Sequence, residues 1–182
     1  MGVAQRRIPL LKREGRMLNC RAAAGCLAVL LLFGGTAKAE EKEPSAVVAI
    51  GPESEWGFPG SRFSIGPSAS VEFSVIKDWL EIEIGGGTLF SRGQKEWEVD
   101  ALFKKPFTLS NTVELMVGAG PSWSYATGET GKTGATFVLD FMFWPWPERK
   151  FGWFFEPTYS YSFSKDHEKS LAVSVGLLIA IP

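Results

Sequence analysis

From about residue 64 onward, apolar side chains recur at every second position, the period of a strand with one apolar and one polar face. Ala69, Val71, Phe73 and Val75 alternate with Ser68, Ser70, Glu72 and Ser74. Leu80, Ile82 and Ile84 alternate with Glu81, Glu83 and Gly85, and Trp97, Val99, Ala101 and Phe103 with Glu96, Glu98, Asp100 and Lys104. The pattern continues through Val113 to Trp123, opposed by Thr112, Glu114, Gly118, Gly120 and Ser122. It runs on through Ala135 to Phe143, opposed by Thr136 and Asp140, with Val138 and Met142 interrupting the polar row. Trp153 to Phe163 oppose Glu156, Thr158, Ser160 and Ser162, and Leu171 to Ile181 oppose Ala172, Ser174, Gly176 and Ala180. These are seven strands, and 45–50 is a weaker candidate for an eighth, followed by a long link over 51–63. Short polar or Pro/Gly-rich connections separate the others, at 77–78, 92–94, 106–111, 126–133, 145–150 and 164–169. No helical stretch is long enough for a crossover, so the strands are expected to pair antiparallel, each with the next.

The direction in which each face points decides the class. The segments run about ten residues or more, the length a tilted strand needs to cross a bilayer. Their polar rows are rich in Ser, Thr, Gly and carboxylates, which suits a narrow polar interior and not an apolar core. The reading is an all-β fold, an eight-stranded antiparallel up-and-down transmembrane β-barrel following a cleaved signal peptide. Trp79, Trp97, Trp123, Trp144, Trp146 and Trp153 lie close to turns, where rings at strand ends form girdles at the lipid headgroups. Period 2 alone fits a soluble sandwich or ligand-binding barrel with the apolar rows inside equally well.

The first forty residues are an address. Arg6, Arg7, Lys12, Arg13, Arg16 and Arg21 precede an apolar run from Ala22 to Phe33, and Ala37-Lys38-Ala39 offers small residues for a peptidase. The expected division is a signal peptide over 1–39 and a barrel over 40–182 with a short polar tether, and Met17 is an alternative start. Both cysteines, Cys20 and Cys26, fall in the expected leader, so a chain cleaved there would have no disulfide or thiolate chemistry. Removing the leader takes seven of 19 Lys+Arg and one of 20 Asp+Glu, which leaves 12 minus 19, or −7. That acidic balance argues against a nucleic-acid partner.

Four segments carry a resemblance: Trp79-Leu80-Glu81-Ile82-Glu83, Phe103-Lys104-Lys105-Pro106-Phe107, Gly118-Ala119-Gly120-Pro121, and the run from Leu139 to Pro147. Over residues 64–182 the chain resembles the small outer-membrane β-barrels of Gram-negative bacteria, and more narrowly a proteobacterial group of such barrels. The resemblance implies a fold and an outer-membrane location, with outer-membrane lipid as partner, and no activity. The chain ends Ala180-Ile181-Pro182, without the terminal aromatic usual in such barrels, so the periplasm is the alternative location.

The polar rows place Glu72, Glu81, Glu83, Glu96, Glu98, Asp100, Glu114, Asp140 and Glu156 in the lumen, against Lys104 alone on the same faces. Such a set must be hydrated, cation-bound, or paired with bases such as Arg62, Arg92 or Arg149. His167, the only histidine, lies in a charged turn and makes a weak case for a hydrolase. No catalytic, cofactor or metal residue is expected. The expected function is non-enzymatic, structural or in surface interaction. The alternatives are a narrow pathway for small cations along the acidic lumen and a soluble periplasmic ligand-binding barrel.

Overall fold

A computed structural model describes residues 44–58, 62–165 and 167–182; the expected leader over 1–39 and tether over 40–43 lie outside them. Eight strands follow in order: β1 (Ala46–Phe58), β2 (Arg62–Ile76), β3 (Leu80–Ser91), β4 (Gln94–Thr108), β5 (Val113–Ala126), β6 (Lys132–Phe143), β7 (Phe151–Ser162) and β8 (Lys169–Ile181). Each pairs antiparallel with its neighbour, and β1 pairs with β8, so the sheet closes and has no free edge. With an even number of strands, both ends of the barrel segment emerge on one side, here the terminal end. The turn after β2 puts Asp78 in the left-handed region at φ 59°, and the two-residue turn after β3 does the same with Gly93 at φ 79°.

The rows face as the alternation requires. Phe73, Ile84, Val99, Phe103, Phe137, Leu139, Val175 and Leu177 lie on the outer surface, while Glu72, Glu83, Lys104, Thr136, Asp140 and Ser174 are buried inside. Strand β4 shows the vertical extent of the apolar band. Its outward row runs from Lys95 to Lys105, and each lysine lies against aromatic rings, Lys95 Nζ 4.0 Å from the Trp97 ring and Lys105 Nζ 5.8 Å from Trp79. Ten residues at about 3.4 Å each, tilted by about 40°, give about 26 Å, the height of the apolar belt of an outer-membrane barrel. Ammonium groups bounding such a run keep their charge in water while their stems cover apolar surface.

Three sequence expectations are corrected. The long link over 51–63 is mostly strand, since β1 continues to Phe58 and only residues 59–61 separate it from β2. Gly51, Pro52 and Gly57 hide an alternation in which Glu53 and Glu55 point inward and Trp56 outward. Gly51 and Gly176 meet where β1 crosses β8, so closely that a Cβ on either would overlap the opposite backbone carbonyl. The link over 106–111 likewise shortens to 109–112, because Pro106 stays in β4 opposite Met116.

The third correction is Trp144. It is 2% exposed and packs inside the barrel with Val47, Met116, Met142, Phe154 and Leu178. Asp140, Met142 and Trp144 share one parity, so the residue directly after β6 continues the inward row even though the strand has ended. An apolar cluster, which includes Met142 of the interrupted row, thus closes the terminal end of an otherwise polar interior. The other five expected interface rings are outward and exposed: Trp97 and Trp123 at the far end, Trp79, Trp146 and Trp153 at the terminal end. Trp56 joins the far set.

This orientation makes Leu139→Arg a direct test. Leu139 stands outward in the middle of β6, and an arginine at bilayer mid-depth on a barrel's lipid face costs about 2–4 kcal/mol. Urea titration in lipid vesicles should show that loss, and the same change in detergent micelles a smaller one. Equal, negligible losses in both media would mean that the face does not meet lipid.

Candidate functional site

The acidic rows converge on one cation. Lys104 projects from β4 across the lumen, fully buried, with its stem over Gly118 of β5, where a Cβ would stand 2.7 Å from Lys104 Cγ. Its Nζ donates to Glu83 Oε2 of β3 at 2.7 Å, Glu156 Oε2 of β7 at 2.9 Å and Asp140 Oδ2 of β6 at 3.0 Å. Glu72 Oε2 of β2 completes the ring at 3.4 Å. Five strands therefore meet at one ammonium, whose three protons satisfy three carboxylates directly. Oxygens of Glu72, Glu83 and Asp140 lie within 4.8 Å of one another, a spacing that suits a metal ion, but the lysine already occupies that position.

The remaining expected carboxylates separate into levels. At the far rim Glu96 pairs with Arg62 at 3.3 Å, and at the terminal end Glu114 pairs with Arg149 at 3.2 Å. Glu81 lines a cavity of about 40 Å³ on the terminal side of Lys104, beside Glu72 and Trp144. On the far side, Glu98 and Asp100 line a cavity of about 50 Å³ together with Glu53 and Glu55. Those last two were missed in the sequence because the link assignment covered them, although Glu53-Ser54-Glu55-Trp56 carries the alternation. Above lies a vestibule of about 180 Å³, lined by Glu55, Glu98, Ser160 and Ser162 among others. Lys132 closes part of this rim on Glu168 at 2.8 Å and Glu129 at 3.1 Å. The lumen is thus three cavities in series, with Lys104 and its carboxylates between the second and the third.

His167 sits on the far rim with φ 47°, and its Nδ1 lies 3.0 Å from the Tyr161 hydroxyl, the two rings stacked at 5.9 Å. A ring nitrogen held by a phenol is not the serine and carboxylate arrangement that a hydrolase needs.

No protein-family model matches the chain, and no curated protein matches it either. Solved structures do. Neisserial surface protein A matches with a TM-score of 0.64 at 15% identity, over 78% of this chain and 100% of that one. Ail, the attachment invasion locus protein of Yersinia pestis, matches at 0.54 and 15%, over 75% and 98%. The N-terminal β-barrel domain of Pseudomonas aeruginosa OprF matches at 0.51 and 15%, over 76% and 100%. With its closed antiparallel sheet, apolar exterior and charged interior, the chain has the fold of the small eight-stranded outer-membrane β-barrels of Gram-negative bacteria.

Proposed function

We propose that the protein is a non-enzymatic outer-membrane barrel, with its terminal end toward the periplasm and a structural or surface-interaction role at the far end. The observation that carries this reading is the outward apolar band, bounded by lysines and by tryptophans at both ends, which only lipid can cover without cost. The surface role is proposed in keeping with the names of two proteins that share this fold, Neisserial surface protein A and the attachment invasion locus protein Ail. The far connections here are short, however: residues 59–61, 92–93, 127–131 and 163–168. A partner at that end would meet the strand ends and the charged rim, Arg62, Lys132 and Glu168 included, and not long loops. Membrane fractionation is the test. The protein should sediment with the outer membrane and leave it only in detergent. Recovery in buffer alone would replace this reading with a periplasmic barrel.

The cation pathway is disfavoured by the same interior. A cation passing from the second cavity to the third must displace an ammonium held by four carboxylates, and its bound cation does not diffuse away because it is part of the chain. Planar bilayers containing the purified barrel are expected to show no conductance steps. Steps that shrink in Glu98→Gln would restore the pathway.

A further inference from the structure

We propose that the far end of the β3–β4 hairpin binds one phosphorylated lipid, its phosphate monoester held by Arg92 and Lys95 and its chains lying along the outward apolar rows beneath them. The inference rests on the outer-membrane reading above and names a ligand for its far end. Bases inside and outside the barrel are partnered differently. Arg62, Lys104, Lys132 and Arg149 line the lumen or its mouths, and each is paired with a carboxylate. Arg92 and Lys95 instead continue the outward rows of β3 and β4, and among the described residues neither forms an ion pair. Glu96, between Lys95 and Trp97 in the chain, points inward and is taken by Arg62 at 3.3 Å. Two unpaired cations at the edge of a lipid-facing surface are complementary to an anionic headgroup.

The hairpin fixes where the two charges stand. Gly93 closes the turn between Ser91 and Gln94, which pair across it, and Ser91 Oγ donates to the Phe63 carbonyl of β2 at 3.0 Å. Arg62 Nη1 donates to Gln94 Oε1 at 3.5 Å, so the third base of this corner is held toward the lumen. Lys95 stands opposite Phe90, its Nζ 4.0 Å from the Trp97 ring and 5.8 Å from the Phe90 ring, which leaves the ammonium at the upper limit of the apolar band. A guanidinium grips two phosphate oxygens with its planar fork, and an ammonium supplies a point charge to the third. A phosphate monoester carries about two negative charges and matches this pair, whereas a choline headgroup brings a cation of its own to a place that already has two. Beneath the charges, Phe63, Ile65, Phe90, Trp97 and Val99 are each 46–50% exposed. Lipid chains cover that surface and a free phosphate does not, which commits the site to a lipid. At the terminal end Lys105 lies 5.8 Å from the ring of Trp79, but the turn there carries Asp78, so its charge is opposed by an acid.

The full barrel in neutral-detergent micelles, titrated with dilauroyl phosphatidic acid and released intact for mass measurement, tests the proposal. One retained phosphatidic acid per barrel is expected, at concentrations where phosphatidylcholine with the same chains is not retained. Arg92→Gln combined with Lys95→Gln should weaken retention by about tenfold or more, the effect of losing two cations beside a charged headgroup. Arg92→Gln alone should weaken it less, and Lys105→Gln should retain the lipid as the unaltered barrel does. Inorganic phosphate in large excess should displace little of it. Equal retention of phosphatidylcholine, undiminished retention in the double variant, an equal loss in Lys105→Gln, or displacement by inorganic phosphate at the lipid's own concentration would each overturn the site. A chain that sediments with the outer membrane and yet retains no phosphatidic acid keeps the proposed function and loses only this inference.

Discussion

Replacing Lys104 by methionine is expected to cost the barrel about 3–5 kcal/mol, and to leave much of the protein unfolded, because removing one partner strands buried charges. The side chain is fully buried and four carboxylate oxygens lie within 3.4 Å of its ammonium. Methionine fills similar volume, so the loss would come from charge and not from packing. Urea titration in micelles, followed by the slower gel migration of unfolded barrels, measures it. The sharper result is compensation. Adding Glu83→Gln and Asp140→Asn to Lys104→Met should recover most of the loss, since amides can hydrogen-bond one another without a cation. Neutral replacement of buried ion groups is often tolerated where half-removal is not. If Lys104→Met alone folded as stably as the unaltered chain, the convergence of five strands on this ammonium would have no energetic weight.

Trp144→Ala is the second large effect, expected at about 3–5 kcal/mol for deleting a buried indole from a packed site. Its neighbours Val47, Met116, Met142, Phe154 and Leu178 come from five strands, and rigid strands around it cannot collapse into the space. Trp144 Nε1 has no hydrogen-bond partner. Phenylalanine therefore loses no bond there, and Trp144→Phe should stay within about 1.5 kcal/mol of the unaltered protein. Trp146, two residues on, is 59% exposed, and Trp146→Ala should cost well under the buried deletion. Equal losses at 144 and 146 would show that the first ring is not a plug.

Legibility in the sequence followed the strength of the alternation. Strands β2 to β8 were readable because their apolar rows are long and their polar rows carry charges. Strand β1 was half lost, since Gly51, Pro52 and Gly57 resemble loop punctuation and Glu53 to Phe58 was too short a run to outweigh them. Trp144 was misplaced for a different reason. Its neighbours Pro145 and Trp146 mark a turn, and tryptophan near a turn usually seeks the interface, but parity with Met142 outranked that tendency. Parity alone put nine carboxylates on one face of the strands; it carried no information on how they group.

The alternation by itself determined that this chain forms strands with acids on one face and apolar groups on the other, because a side-chain period of two admits no third direction; closure came from the pairing of β1 with β8. What the alternation also could not determine is height. Residues 72, 83, 104, 140 and 156 reach one level only because each strand is staggered against the next as the barrel closes. That stagger is a property of the closed sheet and of no single segment. It decided that four acids would share one lysine while Glu53, Glu98 and Asp100 would face a cavity without one.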